Sequence, residues 1–107
     1  MKVGIVGFGY IGSVCAAGLV DDVSQIIIVD PDKDKTEKLK SKVFQFPERD
    51  VEKVINRSSI LVANDIRDIL DANLILICVN TPLKKDGNLD DPILREVITN
   101  LYKYRYS

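Results

Sequence analysis

Glycines at positions 7, 9 and 12 in "VGIVGFGYIGSVCAAGL" follow directly on a short apolar run. The spacing G-x-G-x-x-G at a strand-to-helix junction suits an anion held by main-chain N–H groups. Gly7 permits the tight turn, Gly9 has no Cβ to hold off a pyrophosphate, and Gly12 lets the helix lie close on the strand. Asp30 ends the next apolar run, where a carboxylate accepts hydrogen bonds from an adenosine ribose diol. An acid there favours NAD over NADP, because a 2′-phosphate meets its negative charge. Lys33 and Lys35 blur this preference, since either is placed to reach such a phosphate; both also suit a solvated helix face, and Lys35 suits a second cofactor contact. An S-adenosylmethionine site shares the ribose-binding acid, but pyrophosphate contact accounts better for the second glycine.

These residues need elements to hold them, and the apolar periodicity supplies four strands. "KVGIVG", "SQIIIVD", "SILVA" and "NLILICV" are near-continuous apolar runs, as in strands buried on both faces of a parallel sheet. Between them lie helical segments. The first runs from Tyr10 to about Val20 and stops before Asp21 and Asp22, which oppose its dipole. The second is the charged "PDKDKTEKLKSK", with Pro31 near its start. A short helix is expected over 48–56. Another carries Ile66, Ile69 and Leu70 behind a cap at Asn64 or Asp65. Asp86-Gly87 marks a turn, and Asp91-Pro92 opens a last helix reaching about Tyr104. Alternating strands and helices imply right-handed parallel crossovers, hence an α/β Rossmann-like doubly wound open sheet. The expected strand order is 3-2-1-4, with a crevice above strands 1 and 4. The glycines and "VNTP" both fall at strand ends bordering that crevice.

The bulk composition narrows the partners. At 107 residues the chain suits one domain, here taken as residues 1–107. A net charge of −1, from 15 basic and 16 acidic side chains, provides no field for gripping nucleic acid or an anionic membrane. The interleaved tail "YKYRYS" reads as a helix terminus rather than a nucleic-acid platform. The apolar runs are all too short to span a bilayer, and the first strand begins at Lys2, so a cytoplasmic protein is expected. With no histidine a zinc site is not expected. Cys15 and Cys78, far apart in sequence and in apolar surroundings, read as core fillers rather than a disulfide.

Taken together, "GFGYIGSVCAAGL" and "DANLILICVNTPLKKDGNLD" resemble the N-terminal domain of the nucleotide-sugar 6-dehydrogenases, the UDP-glucose and GDP-mannose dehydrogenases. The first looks like that family's "GxGYVG" loop and helix, the second like its fourth strand, Thr-Pro turn and Asp-Gly loop. The resemblance implies NAD as cofactor, with Tyr10 and Ile11 over the pyrophosphate, Asp30 on the ribose and Lys35 at the adenosine end. It also implies Val79 and Thr81 against the cofactor beyond the fourth strand. The family oxidises the C6 alcohol of a sugar nucleotide to a carboxylate in two hydride transfers, through a thiohemiacetal on a catalytic cysteine. Neither Cys15 nor Cys78 matches that nucleophile, and the family's lysine, asparagine and sugar-nucleotide domain have no counterpart in these residues. The stretch "VFQFPERDVEKVI" is shorter than the family's Ser-Pro-Ile…Glu-Pro-Gly-like segment, which leaves Pro47 and Glu48 without an assigned role. The expectation is a cofactor-binding domain, inactive by itself and prone to self-association through its open sheet edge. The alternative is a stand-alone nucleotide-sensing regulatory module.

Overall fold

The computed structural model describes residues 1–41, 57–79, 85–87 and 92–105. β1 (Lys2–Val6), β2 (Gln25–Val29), β3 (Ile60–Ala63) and β4 (Leu74–Ile77) form one parallel sheet in the order β3-β2-β1-β4. That is the order expected from the crossover rule. The register sets Ile5 against Ile28 and Leu76, and Val6 against Val29 and Ile77.

Side chains alternate across the sheet, and both faces are covered. Val3, Ile5, Ile26 and Ile28 point to one side and pack with Phe8, Ala16, Val20 and Leu39. These last four come from the glycine loop and from the two helices α1 (Tyr10–Leu19) and α2 (Lys33–Lys40), with Val20 capping α1. Val6, Ile27 and Val29 point to the other side, against Ile69 and Val97. Two-sided burial is why β1 and β2 read as unbroken apolar runs rather than alternating ones, whereas β3 and β4, at the sheet edges, carry the same kind of run but are only partly buried. Each such isoleucine or valine contributes roughly 1.5–3 kcal/mol when fully buried.

Among the described residues, two elements cover the second face. A 3-10 helix (Ile66–Ile69) follows β3, capped by Asp65, whose side chain accepts from the Arg67 N–H at 2.9 Å. The sequence suggests an ordinary short helix there. With only four residues before the chain enters β4, the tighter winding fits the space. The long helix α3 (Pro92–Arg105) presents Val97 and Leu101 to the sheet and joins the 3-10 helix, where Arg67 lies over the Tyr104 ring at 5.3 Å.

Several boundaries shift from their expected places. Pro31 lies outside α2, because Asp32 is the true cap and accepts from Asp34 N–H and Lys35 N–H. β4 stops at Ile77, so Cys78 and Val79 lie on the way out of the sheet. Gly87 has φ +87°, as the Asp86-Gly87 turn requires. The helix expected over 48–56, the cap at Asp91, and Pro47, Glu48 and Thr81 lie outside the described residues.

Candidate functional site

The carboxyl ends of β1, β2 and β4 converge on a cavity of about 630 Å³. Gly7, Gly9, Tyr10, Ile11, Asp30, Lys35, Cys78 and Val79 all border it. Of the expected site residues, only Gly12 among those described lies behind the wall, and its surroundings show why.

The three glycines answer to different neighbours. Gly7 has φ +92°, and a Cβ on it would stand 2.7 Å from the Cys78 carbonyl oxygen. A Cβ on Gly12 would stand 2.1 Å from the Gly7 carbonyl oxygen, so α1 can begin against the loop only with hydrogen at that position. Both are therefore demanded by the fold itself. Gly9 is not. Its φ of −88° suits any residue, and a Cβ there would meet nothing within 4 Å. Gly9 itself lines the cavity.

The same loop forms the N-terminus of α1. The helix has no side-chain cap and no acidic residue in its first turn, and its first main-chain turn bond runs from Ser13 N–H to the Gly9 carbonyl at 3.0 Å. The N–H groups of the preceding residues thus point forward at the positive end of the helix dipole. α2, by contrast, is capped by Asp32. An uncapped helix start beside a glycine with no steric duty fits a phosphate-bearing ligand.

Asp30 ties this loop to the end of β2. Its Oδ2 accepts from Phe8 N–H at 2.7 Å and its Oδ1 from Asp32 N–H at 2.9 Å. The side chain is only 5% exposed, with Lys35 Nζ 3.8 Å from Oδ2. A carboxylate has about four acceptor positions, so two remain for the hydroxyls of a ribose diol. The scaffolding role of Asp30 is not visible in the sequence, because Phe8 N–H becomes its neighbour only when β1 and β2 pair. Thr36 supports the corner, donating its hydroxyl to the Asp32 carbonyl at 3.0 Å.

A second cavity of about 510 Å³ adjoins the first at Asp30, Pro31 and Ile93 and extends between α2 and α3. Lys33 lines this one rather than the first, so the two lysines that looked equivalent in sequence are separated. Cys15 and Cys78, by contrast, are brought into one buried cluster, both half-buried and free.

Comparison with known proteins agrees with the geometry. The sequence model of the UDP-glucose/GDP-mannose dehydrogenase family, NAD binding domain, matches residues 1–106. The GDP-mannose 6-dehydrogenase of Pseudomonas aeruginosa is 29% identical over 106 residues, covering 91% of this chain and 24% of that protein. A ternary complex of GDP-mannose dehydrogenase from the same organism superposes with a TM-score of 0.83 at 28% identity, over 94% of this chain and 24% of its own. The UDP-D-ManNAc dehydrogenase of Pyrococcus horikoshii gives a TM-score of 0.83 at 25% identity, over 97% of this chain and 26% of its own. The chain thus spans about a quarter of the length of these relatives.

Proposed function

The chain belongs to the UDP-glucose/GDP-mannose dehydrogenase family, as its NAD-binding domain, and from that premise we propose that it seats NAD in the cavity above the glycine loop and serves the oxidation of a nucleotide sugar at C6. The observation that carries the placement is Gly9: nothing among the described residues needs a glycine there, and it lines the cavity at an uncapped helix start.

In this reading the N–H groups at the start of α1 hold the pyrophosphate, with Tyr10 and Ile11 over it. The spare acceptor positions of Asp30 take the hydroxyls of the adenosine ribose, and Lys35 stands at the adenosine end. Val79 and Thr81 follow the cofactor beyond β4. Bound NAD supplies the hydride acceptor. Asp30 also disfavours a 2′-phosphate, since its buried carboxylate would face a second anion, which Lys35 at 3.8 Å offsets in part.

Neither cysteine stands where the family's nucleophile belongs, so the 107 residues by themselves bind cofactor without turning over substrate. The protein works in the cytoplasm, and no helix among its described residues is long and apolar enough to cross a membrane. Calorimetry with NAD and NADP tests the assignment. NAD should bind more tightly; equal or tighter NADP binding would overturn the role given to Asp30. Steady NADH production from UDP-glucose or GDP-mannose by the pure chain would overturn the division of labour.

A further inference from the structure

Asp86 and Gly87 form an exposed turn on the chain between Val79 and Ile93, two residues that border the first cavity. Gly87 stands at φ +87°, where an L side chain is strained, and a Cβ added there would meet nothing within 4 Å. The turn therefore needs glycine for its backbone and leaves the space around it open. Glycine is also the residue whose main-chain nitrogen is least shielded from the side chain before it. Nowhere else in the sequence does an aspartate or asparagine precede glycine. Other acids are held differently. Asp30 precedes proline, which has no N–H to give up, and its oxygens accept from Phe8 N–H and Asp32 N–H. Asp32 and Asp65 accept from N–H groups as helix caps, and Asp71 pairs with Lys2 at 2.8 Å. All four are followed by a residue with a side chain.

We propose that Asp86 is a site of spontaneous covalent modification, where aspartate converts to isoaspartate through a succinimide closed on Gly87. The Gly87 nitrogen attacks Cγ of the Asp86 carboxyl. The N–Cγ bond forms, the Cγ–OH bond breaks, and the hydroxyl leaves with the amide proton as water. Water then opens the ring. Addition at Cγ restores aspartate, and addition at the Asp86 main-chain carbonyl gives isoaspartate. The balance needs no oxidant, reductant or enzyme.

Isoaspartate carries the same charge as aspartate, so what changes is the path of the chain. The main chain then runs through Cβ and Cγ, longer by a methylene, and the former main-chain carbonyl becomes a free carboxylate. The turn that holds Gly87 at φ +87° is rebuilt around a different sequence of atoms. The fold keeps the reactive pair in place. A bulkier residue at position 87 would shield the nitrogen but strain the turn, so the residue that suits the backbone is also the one that leaves the link labile. Ring closure needs the Asp86 side chain to swing onto the next nitrogen, and an exposed turn gives it room to do so.

The test ages the 107-residue protein in neutral buffer made with heavy-oxygen water, digests it with a glutamate-specific protease and reads peptide masses. The peptide ending at Glu96 should gain a heavy oxygen, and fragmentation should place it at Asp86. An isoaspartate-specific methyltransferase should transfer methyl groups from S-adenosylmethionine to the same peptide. Asp86→Glu should lose both signals, because its longer side chain closes a larger ring far more slowly. Asp86→Asn should lose its amide several-fold sooner than the parent gains heavy oxygen, since ammonia leaves more readily than water. Heavy oxygen and methyl groups at other acids instead of Asp86 would overturn the site. So would a folded protein left unlabelled while the same chain in denaturant gains heavy oxygen at Asp86, because the folded turn would then hold the nitrogen away from the side chain.

Discussion

Alanine at Gly12 and alanine at Gly9 meet opposite surroundings. At Gly12 the new methyl would stand 2.1 Å from a carbonyl oxygen that cannot move without the loop, so overpacking should cost about 2 kcal/mol or more. At Gly9 the methyl enters open space, and stability should stay within about 0.5 kcal/mol of the parent. NAD affinity, however, should fall by about tenfold or more, because the methyl occupies the pyrophosphate's approach. Denaturant melts and calorimetry on both variants check this. A Gly9→Ala protein that binds NAD normally would show that the cavity beside Gly9 is not the phosphate seat. Asp30 is a scaffold acceptor in the structure and the ribose acceptor in the proposed seating, and Asp30→Ala tests both. Removing the acceptor of Phe8 N–H and Asp32 N–H should lower stability by about 1–3 kcal/mol. Removing the acid should also narrow the preference for NAD over NADP. A variant with unchanged preference would sink the ribose assignment.

At the scale of elements, the two caps differ in what they serve. Asp32 satisfies the start of α2, whereas the start of α1 has no side-chain cap and is the proposed seat of the pyrophosphate. Asp65 caps the 3-10 helix and also pairs with Arg67, whose guanidinium Nη2 lies 2.6 Å from Oδ2. That hydrogen bond, with the Arg67 N–H, holds the Asp65 carboxyl at about 2, below its ordinary 3.8. The depressed value means that the folded turn favours the ionised form. Its contribution is complete above 3.8 and is lost as pH falls through about 2. A carbon-detected NMR titration should place the Asp65 midpoint near about 2, and Arg67→Ala should return it toward 3.8. An unshifted midpoint in the parent protein would mean that the pair does not persist in solution.

For the molecule as a whole, the described residues of the cavity serve mainly the adenosine and pyrophosphate end of the cofactor in the proposed seating. ADP-ribose should therefore bind within a few-fold of NAD, a difference below about 1 kcal/mol, by competition calorimetry. A much larger gap would mean that the nicotinamide is held firmly as well. The sheet also ends in two edge strands, and Leu61 on β3 and Leu74 on β4 are 46% and 41% exposed. Ile98 and Tyr102 are exposed on α3. Edges and apolar side chains of this kind invite pairing. Light scattering at micromolar concentration should show a dimer or larger species; a clean monomer would mean that the edges are adequately guarded.

The strand order, both core faces and the glycine–acid constellation could be read from the linear chain. Two-sided burial writes continuous apolar runs, and phosphate loops need glycine at fixed spacing. These are local demands, and they leave local marks. The sequence could not distinguish Gly9 from Gly12, because only the approach of α1 to the loop decides which hydrogen is packed and which faces open space. Nor could it assign Asp30 its scaffold role or separate Lys33 from Lys35, since both depend on how β2 meets the loop. That Cys15 and Cys78 join one buried cluster was equally hidden. Parallel crossovers bring a helix from the start of the chain onto a strand from its far end, and no spacing rule records that meeting.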